Sequence, residues 1–200
     1  MEREHHRHAA PPDDTTPSGR ESYRHGNLPA AATQAALELV VAEGHEKLSL
    51  RAVAQKVGVA HRSLYNHFAD RQALLDAVAE QGYLRLAAGL ESAATRGEFI
   101  AAYVRFAVDN PALYWLMKSR PHATMKRRPG LQRAAQFGIT VGLRLFGDPA
   151  ASPAANRRAV MKVLILLHGG ISLHLGGILD VPGDEGLIAE LQAMIATDAA

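Results

Sequence analysis

Along most of the chain apolar residues recur at steps of three and four, and nowhere do they alternate with polar ones, so the pattern predicts helices and no strands. The first periodic segment begins at Asn27, which is placed to cap a first turn, and carries Leu28, Ala32, Ala35, Ala36, Leu39 and Val40. Gly44 stops it. Ser49 then offers an N-cap to a second helix with Leu50, Val53, Ala54 and Val57 on its apolar face, and Gly58 interrupts that helix after barely two turns. Residues 59–68 read as a third helix, with Leu64 and Phe68 four apart. Asp70 is placed to cap a fourth, which carries Leu74, Leu75, Val78, Leu86 and Leu90.

Further helices are predicted over 98–109, 111–118, 131–146, 154–179 and 184–196, making about nine in all. Pro111 suits a first helical turn, whereas Pro121, Pro129, Pro149 and Pro153 mark breaks. Residues 1–22 are polar and lack periodicity, so they read as a flexible arm. The fold class is therefore all-α. A helix-turn-helix domain occupies 23–75, the boundary falls inside the fourth helix near residues 75–80, and a helical C-terminal domain covers 76–200.

A chain of 200 residues that is 48% hydrophobic accommodates two small helical domains. It contains no cysteine, which excludes a disulfide framework, a thiolate zinc site and a cysteine nucleophile, and agrees with a reducing cytoplasm. The N-terminus carries charges, histidines and prolines where a signal peptide would have an apolar core, so the expected location is the cytoplasm. His5, His6 and His8 read as part of a solvated tail, and no metal or cofactor is expected. Residues 163–181 are apolar but include His168, His174 and four glycines, which fits a buried helix and not a membrane span.

The net charge of +2 is too small to steer the whole molecule towards nucleic acid, so any affinity must be local. Between Lys47 and Arg71 stand Lys47, Arg51, Lys56, Arg62 and Arg71 against Asp70 alone. Here two short helices meet at Lys56-Val57-Gly58-Val59-Ala60, a tight glycine-containing turn of the kind that lets one helix enter a major groove while the other braces it. With Leu64 and Phe68 inward, His61, Arg62, Ser63 and Asn66 face outward, and all are hydrogen-bonding types suited to base edges.

The run from Gly58 to Leu75, and above all Leu64-Tyr65-Asn66-His67-Phe68 followed by Asp70-Arg71, resembles the signature of the TetR-like (tetracycline-repressor-type) family. Tyr23-Arg24-His25-Gly26-Asn27-Leu28 resembles the segment that leads into that family's first helix, and the resemblance covers residues 23 to 78. It implies phosphate contacts by Tyr65 and His67, with Arg71 standing where the family has lysine, and a helix cap at Ser49. His61, Arg62, Ser63 and Asn66 would read bases, Arg62 on a guanine edge. Arg24 and His25 are placed to act either as a short basic arm for a neighbouring groove or as a frayed tail. Ala60 and Ala69 depart from the family pattern, which is usually polar at both places.

In the second half, Val160, Val163, Leu164, Leu167, Ile171, Leu175 and Ile178 form one stripe, and Gly169, Leu173 and Gly177 a second face. Leu187, Ile188, Leu191, Met194 and Ile195 add another stripe without an obvious home in so small a unit. The expectation is a homodimer through the helices at 154–179 and 184–196, as in the TetR-like family; closure of the monomer's own core by both helices is the alternative. A pocket for an unidentified small-molecule effector would draw on Phe99, Tyr103, Phe106, Tyr114, Trp115, Met117, Met125, Phe137 and His168. Lys118, Arg120, Lys126, Arg127, Arg128 and Arg133, with no acid among them, read as a solvated basic loop, the alternatives being attraction of an anionic ligand or a position near DNA.

The function these readings imply is a ligand-responsive transcription regulator. It would act as a repressor on an inverted-repeat operator in double-stranded DNA. Gly170-Ile171-Ser172-Leu173-His174 echoes a hydrolase elbow but lacks its final glycine and lies in a helical pattern, so no enzyme is expected. A helical small-molecule-binding or interaction protein with a vestigial helix-turn-helix is the competing reading.

Overall fold

The computed structural model describes residues 27–196, and the readings placed on residues 1–26 (the flexible arm, the histidine cluster, Tyr23, Arg24 and His25) lie outside them. Ten α-helices follow one another: α1 (Leu28–Glu43), α2 (Leu50–Val57), α3 (His61–Tyr65), α4 (Arg71–Glu91), α5 (Arg96–Asp109), α6 (Pro111–Lys118), α7 (His122–Lys126), α8 (Pro129–Phe146), α9 (Pro153–Leu175) and α10 (Gly183–Ala196). A single 3-10 turn, His45–Lys47, joins α1 to α2. No strand occurs among the described residues.

Local chemistry sets most of the helix ends. The Ser49 hydroxyl accepts from Ala52 N–H at 3.1 Å, and an Asp70 carboxylate oxygen accepts from Ala73 N–H at 2.7 Å, as the sequence predicts. Gly44 and Gly58 take positive φ, 85° and 76°, where a side chain would be strained. After Gly58 the Val59 N–H reaches back to Ala54 C=O, closing the turn with a six-residue ring of backbone. Asn27 occupies the cap position of α1 but makes no side-chain cap; Pro29, in the first turn, already lacks one of the donors a cap would satisfy.

Other boundaries move from their predicted places. α3 is a helix only over five residues, because Val59 belongs to the turn, Phe68 swings into the core and Asp70 must be extended to cap α4. Pro129 and Pro153 open α8 and α9 instead of merely breaking the chain, since proline fits the first helical turn. α5 begins earlier than expected, at a capping box of Thr95 and Glu98. α7 falls in a segment expected to be a loop.

α1, α2 and α3 pack on one another, and α1 also packs on the N-terminal part of α4. α4 continues without a break into the second half, where it lies along α8 and touches α5 and α6, and α6 in turn reaches α1 and the 3-10 turn. One apolar cluster runs from Leu28 to Ile195. In α9, Val160, Val163, Leu167 and Ile171 are buried against the protein's own core, and in α10 so are Leu187, Ile188, Leu191 and Ile195. This corrects the expectation that these stripes await a partner, because α9 and α10 pack on each other and both pack on α5, which supplies their home. The face of α9 left outward carries Met161, Ile165 and Leu173, at 52%, 63% and 41% exposure. α9 is the one helix among the described residues long and apolar enough to cross a membrane, and it is buried on one face only.

Candidate functional site

At the N-terminal end, burial of Leu64 and Phe68 fixes which way α3 faces. His61, Arg62, Tyr65, Asn66 and His67 are exposed, and Ser63 is half-buried. The His61 and Tyr65 rings meet edge-on, with centroids 5.1 Å apart, so the two side chains stand as neighbours on the outer surface. Tyr65 closes α3, and Asn66 and His67 lie in the turn beyond it, so the predicted residues share one surface although only four of them are helical.

Two basic residues behave differently from expectation. The Arg71 guanidinium is turned inward: Nε donates to Leu48 C=O at 2.7 Å, while Nη2 donates to Glu46 C=O at 3.0 Å and also to His45 C=O. The guanidinium thus forms a fork that fixes the approach to α2 from behind, using donor geometry that lysine lacks. Lys56 pairs with Glu38 of α1 at 2.9 Å. Its nearness, with a further bond from Gln34, holds the Glu38 carboxyl below its ordinary value. Lys47, Arg51 and Arg62 remain exposed.

The second half contains a cavity of about 120 Å³ between α4, α5, α6, α8 and α9. Small residues of α8, Ala134, Ala135 and Gly138, leave the space, and Leu86, Ala87, Ile139 and Leu164 add apolar walls. Its polar lining is Tyr83, Tyr103 and Lys118. The Lys118 ammonium donates to Tyr103 Oη at 2.8 Å and sits 5.3, 5.4 and 5.6 Å from the ring centroids of Tyr114, Tyr103 and Tyr83. Burial alone pushes its pKa down, but the pull of Tyr103 and Tyr83 and the bond to Tyr103 outweigh that and hold it above the ordinary lysine value. Burial raises Tyr83 and, far more strongly, Tyr114.

Of the residues predicted for a pocket, Tyr103 alone lines this cavity. Tyr114 stands just behind it: its ring faces Lys118, and its hydroxyl is hydrogen-bonded to His168 Nδ1 at 2.9 Å. Trp115 packs edge-on against His168 and is 38% exposed. Burial, aided by Lys118, depresses the His168 pKa, so this imidazole is neutral at neutral pH. Met117 is fully buried against Gly82 of α4, and Phe99 packs on Phe146, so both are core residues. Phe106 and Met125 pack on the edge of the core, and Phe137 lines a separate shallow recess with Leu84 and Arg133.

Tyr83 is a functional candidate that the sequence reading missed, and Lys118 one that it assigned to a solvated loop in preference to an anion site. The spacing Tyr114 to Lys118 puts both on one side of α6, a signal that was available, but a lysine beside Arg120 reads as solvated until α4 and α5 are folded over it. The supposed basic loop is in fact divided. Lys118 is caged, Arg120 is buried against Asp76, Arg128 approaches the same carboxylate at 3.5 Å, and Lys126, Arg127 and Arg133 are exposed. Ser172 lies within α9 and not at a strand-to-helix turn, so the elbow geometry does not form there.

Comparison with known proteins places these features. Residues 32–78 match the model for bacterial regulatory proteins of the tetR family, and residues 98–196 match that for the tetracyclin repressor-like C-terminal domain. No curated protein matches the chain. Among solved structures, a protein of unknown function from Rhodococcus sp. RHA1 is 31% identical, with a TM-score of 0.70, covering 88% of this chain and 98% of that one. A TetR transcriptional regulator from the same Rhodococcus is 20% identical over 86% of this chain and 96% of its own, with a TM-score of 0.59. The transcriptional regulator FadR from Bacillus subtilis, solved in complex with stearoyl-CoA, shares the fold at 12% identity, covering 84% of this chain and 95% of that one, with a TM-score of 0.59. With matching models over both its N-terminal and its C-terminal helices, the chain belongs to the tetR family of bacterial regulatory proteins.

Proposed function

We propose that this protein is a ligand-responsive repressor that binds an inverted-repeat operator as a homodimer in the cytoplasm, where its DNA lies. The observation that carries this reading is the outward presentation of His61, Arg62, Tyr65, Asn66 and His67 on a surface whose reverse side, Leu64 and Phe68, is anchored in the core. Arg62, His61, Ser63 and Asn66 read base edges; Tyr65 and His67 hold phosphates and set the register. Ser49 and Arg71 position α2 behind α3. The DNA-binding unit ends within α4 near residues 75–80, and the remainder is the ligand-binding and dimerisation unit.

The exposed face of α9 supports the dimer. Met161 and Ile165, one turn apart and joined by Leu173 beyond Gly169, form a row that a second copy would cover. A two-fold axis there sets two recognition helices about 34–36 Å apart, one turn of B-DNA. The cavity beside Lys118 supports an effector site, as does the stearoyl-CoA held by the related FadR. α6, which lines the cavity through Lys118, also touches α1 and the 3-10 turn, so a ligand that favours one position of α6 changes DNA affinity by linkage.

The test is footprinting on the gene's own upstream DNA across a salt series. A protected inverted repeat whose affinity falls steeply with salt supports the repressor. Replacing Arg62 and Tyr65 by alanine should abolish protection while the dimer persists. Unchanged affinity in that double variant would favour the competing reading, a small-molecule-binding protein with a vestigial helix-turn-helix.

A further inference from the structure

The Lys118 ammonium is half-buried among three tyrosine rings and has no counter-ion. Among the described residues it makes no ion pair, and its one hydrogen bond, to Tyr103 Oη, uses one of three N–H donors. Tyrosine faces ease the desolvation of the charge but do not neutralise it. The other basic residues near it already have acids: Arg120 and Arg128 share Asp76. The positive charge therefore stands without an acid at the wall of a cavity whose remaining surface is apolar apart from the Tyr83 and Tyr103 side chains.

An occupant of this cavity has to answer that charge. A neutral apolar molecule would leave two ammonium donors unpaired, and a cation would be repelled. A doubly charged, strongly hydrated anion such as phosphate meets a single cation, two tyrosines of which Tyr83 already donates its hydroxyl to Met117 C=O, and apolar walls, too few donors to replace its water. The volume of about 120 Å³ is close to that of an engineered apolar cavity of about 150 Å³ that admits benzene. We infer that this cavity takes a small organic monocarboxylate with a compact apolar body, its carboxylate paired with Lys118 and its body against Leu86, Ala87, Ala134 and Leu164. This names the ligand class for the effector site proposed above and rests on that reading for its regulatory meaning.

The experiment is calorimetric titration of the full chain, without DNA, with benzoate and isobutyrate, their neutral amides benzamide and isobutyramide, and inorganic phosphate. At least one carboxylate should bind about tenfold or more tightly than its amide, the effect of a charge-assisted hydrogen bond. Lys118→Met and Lys118→Gln, each checked for native helicity by circular dichroism, should lose that difference. Equal binding of acid and amide by the unaltered chain overturns the inference, whatever the variants do. So does a preference that survives in both folded variants, binding of phosphate as tight as that of the carboxylates, or no binding of either carboxylate at millimolar concentration. Because binding is read on the protein alone, failure to find an operator would sink the regulator reading and leave this result standing, and the reverse also holds.

Discussion

Arg120, two residues beyond α6, reaches Asp76 in α4 with Nη1 3.4 Å from Oδ1, and both side chains are almost fully enclosed. The same Nη1 donates to Gln72 at 2.7 Å, while the buried Arg120 Nε finds no acceptor. The pair ties the segment after α6 to the first turns of the helix that leaves the DNA-binding end. Burial outweighs both arginines at Asp76 and raises its carboxyl above the ordinary value.

Asp76→Ala should therefore cost about 3–5 kcal/mol, since it strands a buried guanidinium, whereas the double replacement Asp76→Leu with Arg120→Met should recover most of that loss. Urea unfolding of the two variants and the parent measures both. If the double variant is no more stable than Asp76→Ala, the ion pair is not the source of the cost.

Arg71→Lys tests the inward fork. Losing two-pronged contact with the carbonyls of Leu48 and Glu46 should lower stability by about 1.5–3 kcal/mol. Operator affinity should fall while its dependence on salt keeps the same slope. A slope reduced by about one would mean that a phosphate contact was lost, and Arg71 would return to the DNA surface.

His168 gives the protein a signature in pH. Because burial and Lys118 depress its pKa below the ordinary 6.5, the folded chain binds this proton less readily than the unfolded chain. Stability from this group is complete above 6.5 and is lost as pH falls through the depressed value. His168→Asn keeps an acceptor for the Tyr114 hydroxyl but does not titrate. The difference in melting temperature between parent and variant should shift in the parent's favour as pH rises from about 5 to 7. A constant difference over that range would exclude a depressed pKa at His168.

Two residues of α9 should separate folding from assembly. Ile165→Asp, on the 63% exposed position, should leave the helical content intact and shift sedimentation from dimer to monomer. Leu167→Ala, on the fully buried side, should cost about 2–5 kcal/mol of stability and leave the oligomeric state of the folded fraction unchanged. A dimer that tolerates aspartate at both 161 and 165 does not use this face.

The helices and most of their ends were legible in the sequence because their causes are local. Ser49 and Asp70 cap helices through bonds three residues long, Gly44 and Gly58 supply positive φ, and the spacing of Leu64 and Phe68 decides which side of α3 faces out. The family signature lies in the same short stretch, so the outward-facing residues of the proposed nucleic-acid surface could be named before any tertiary contact was known. What tertiary structure alone decided is where long polar side chains and two-sided helices point. Arg71 meets carbonyls 23 to 26 residues away, and Tyr114 meets His168 across 54. Lys118 is a caged cation only because α4 and α5 bring Tyr83 and Tyr103 over it. In α9, both faces carry apolar residues, so periodicity could not say which one the protein's own core would take; packing against α5, α8 and α10 buried Leu167 and left Ile165 outside. A lysine stem or an apolar stripe suits water, core or partner according to its neighbours, and those neighbours are chosen by the fold of the whole chain.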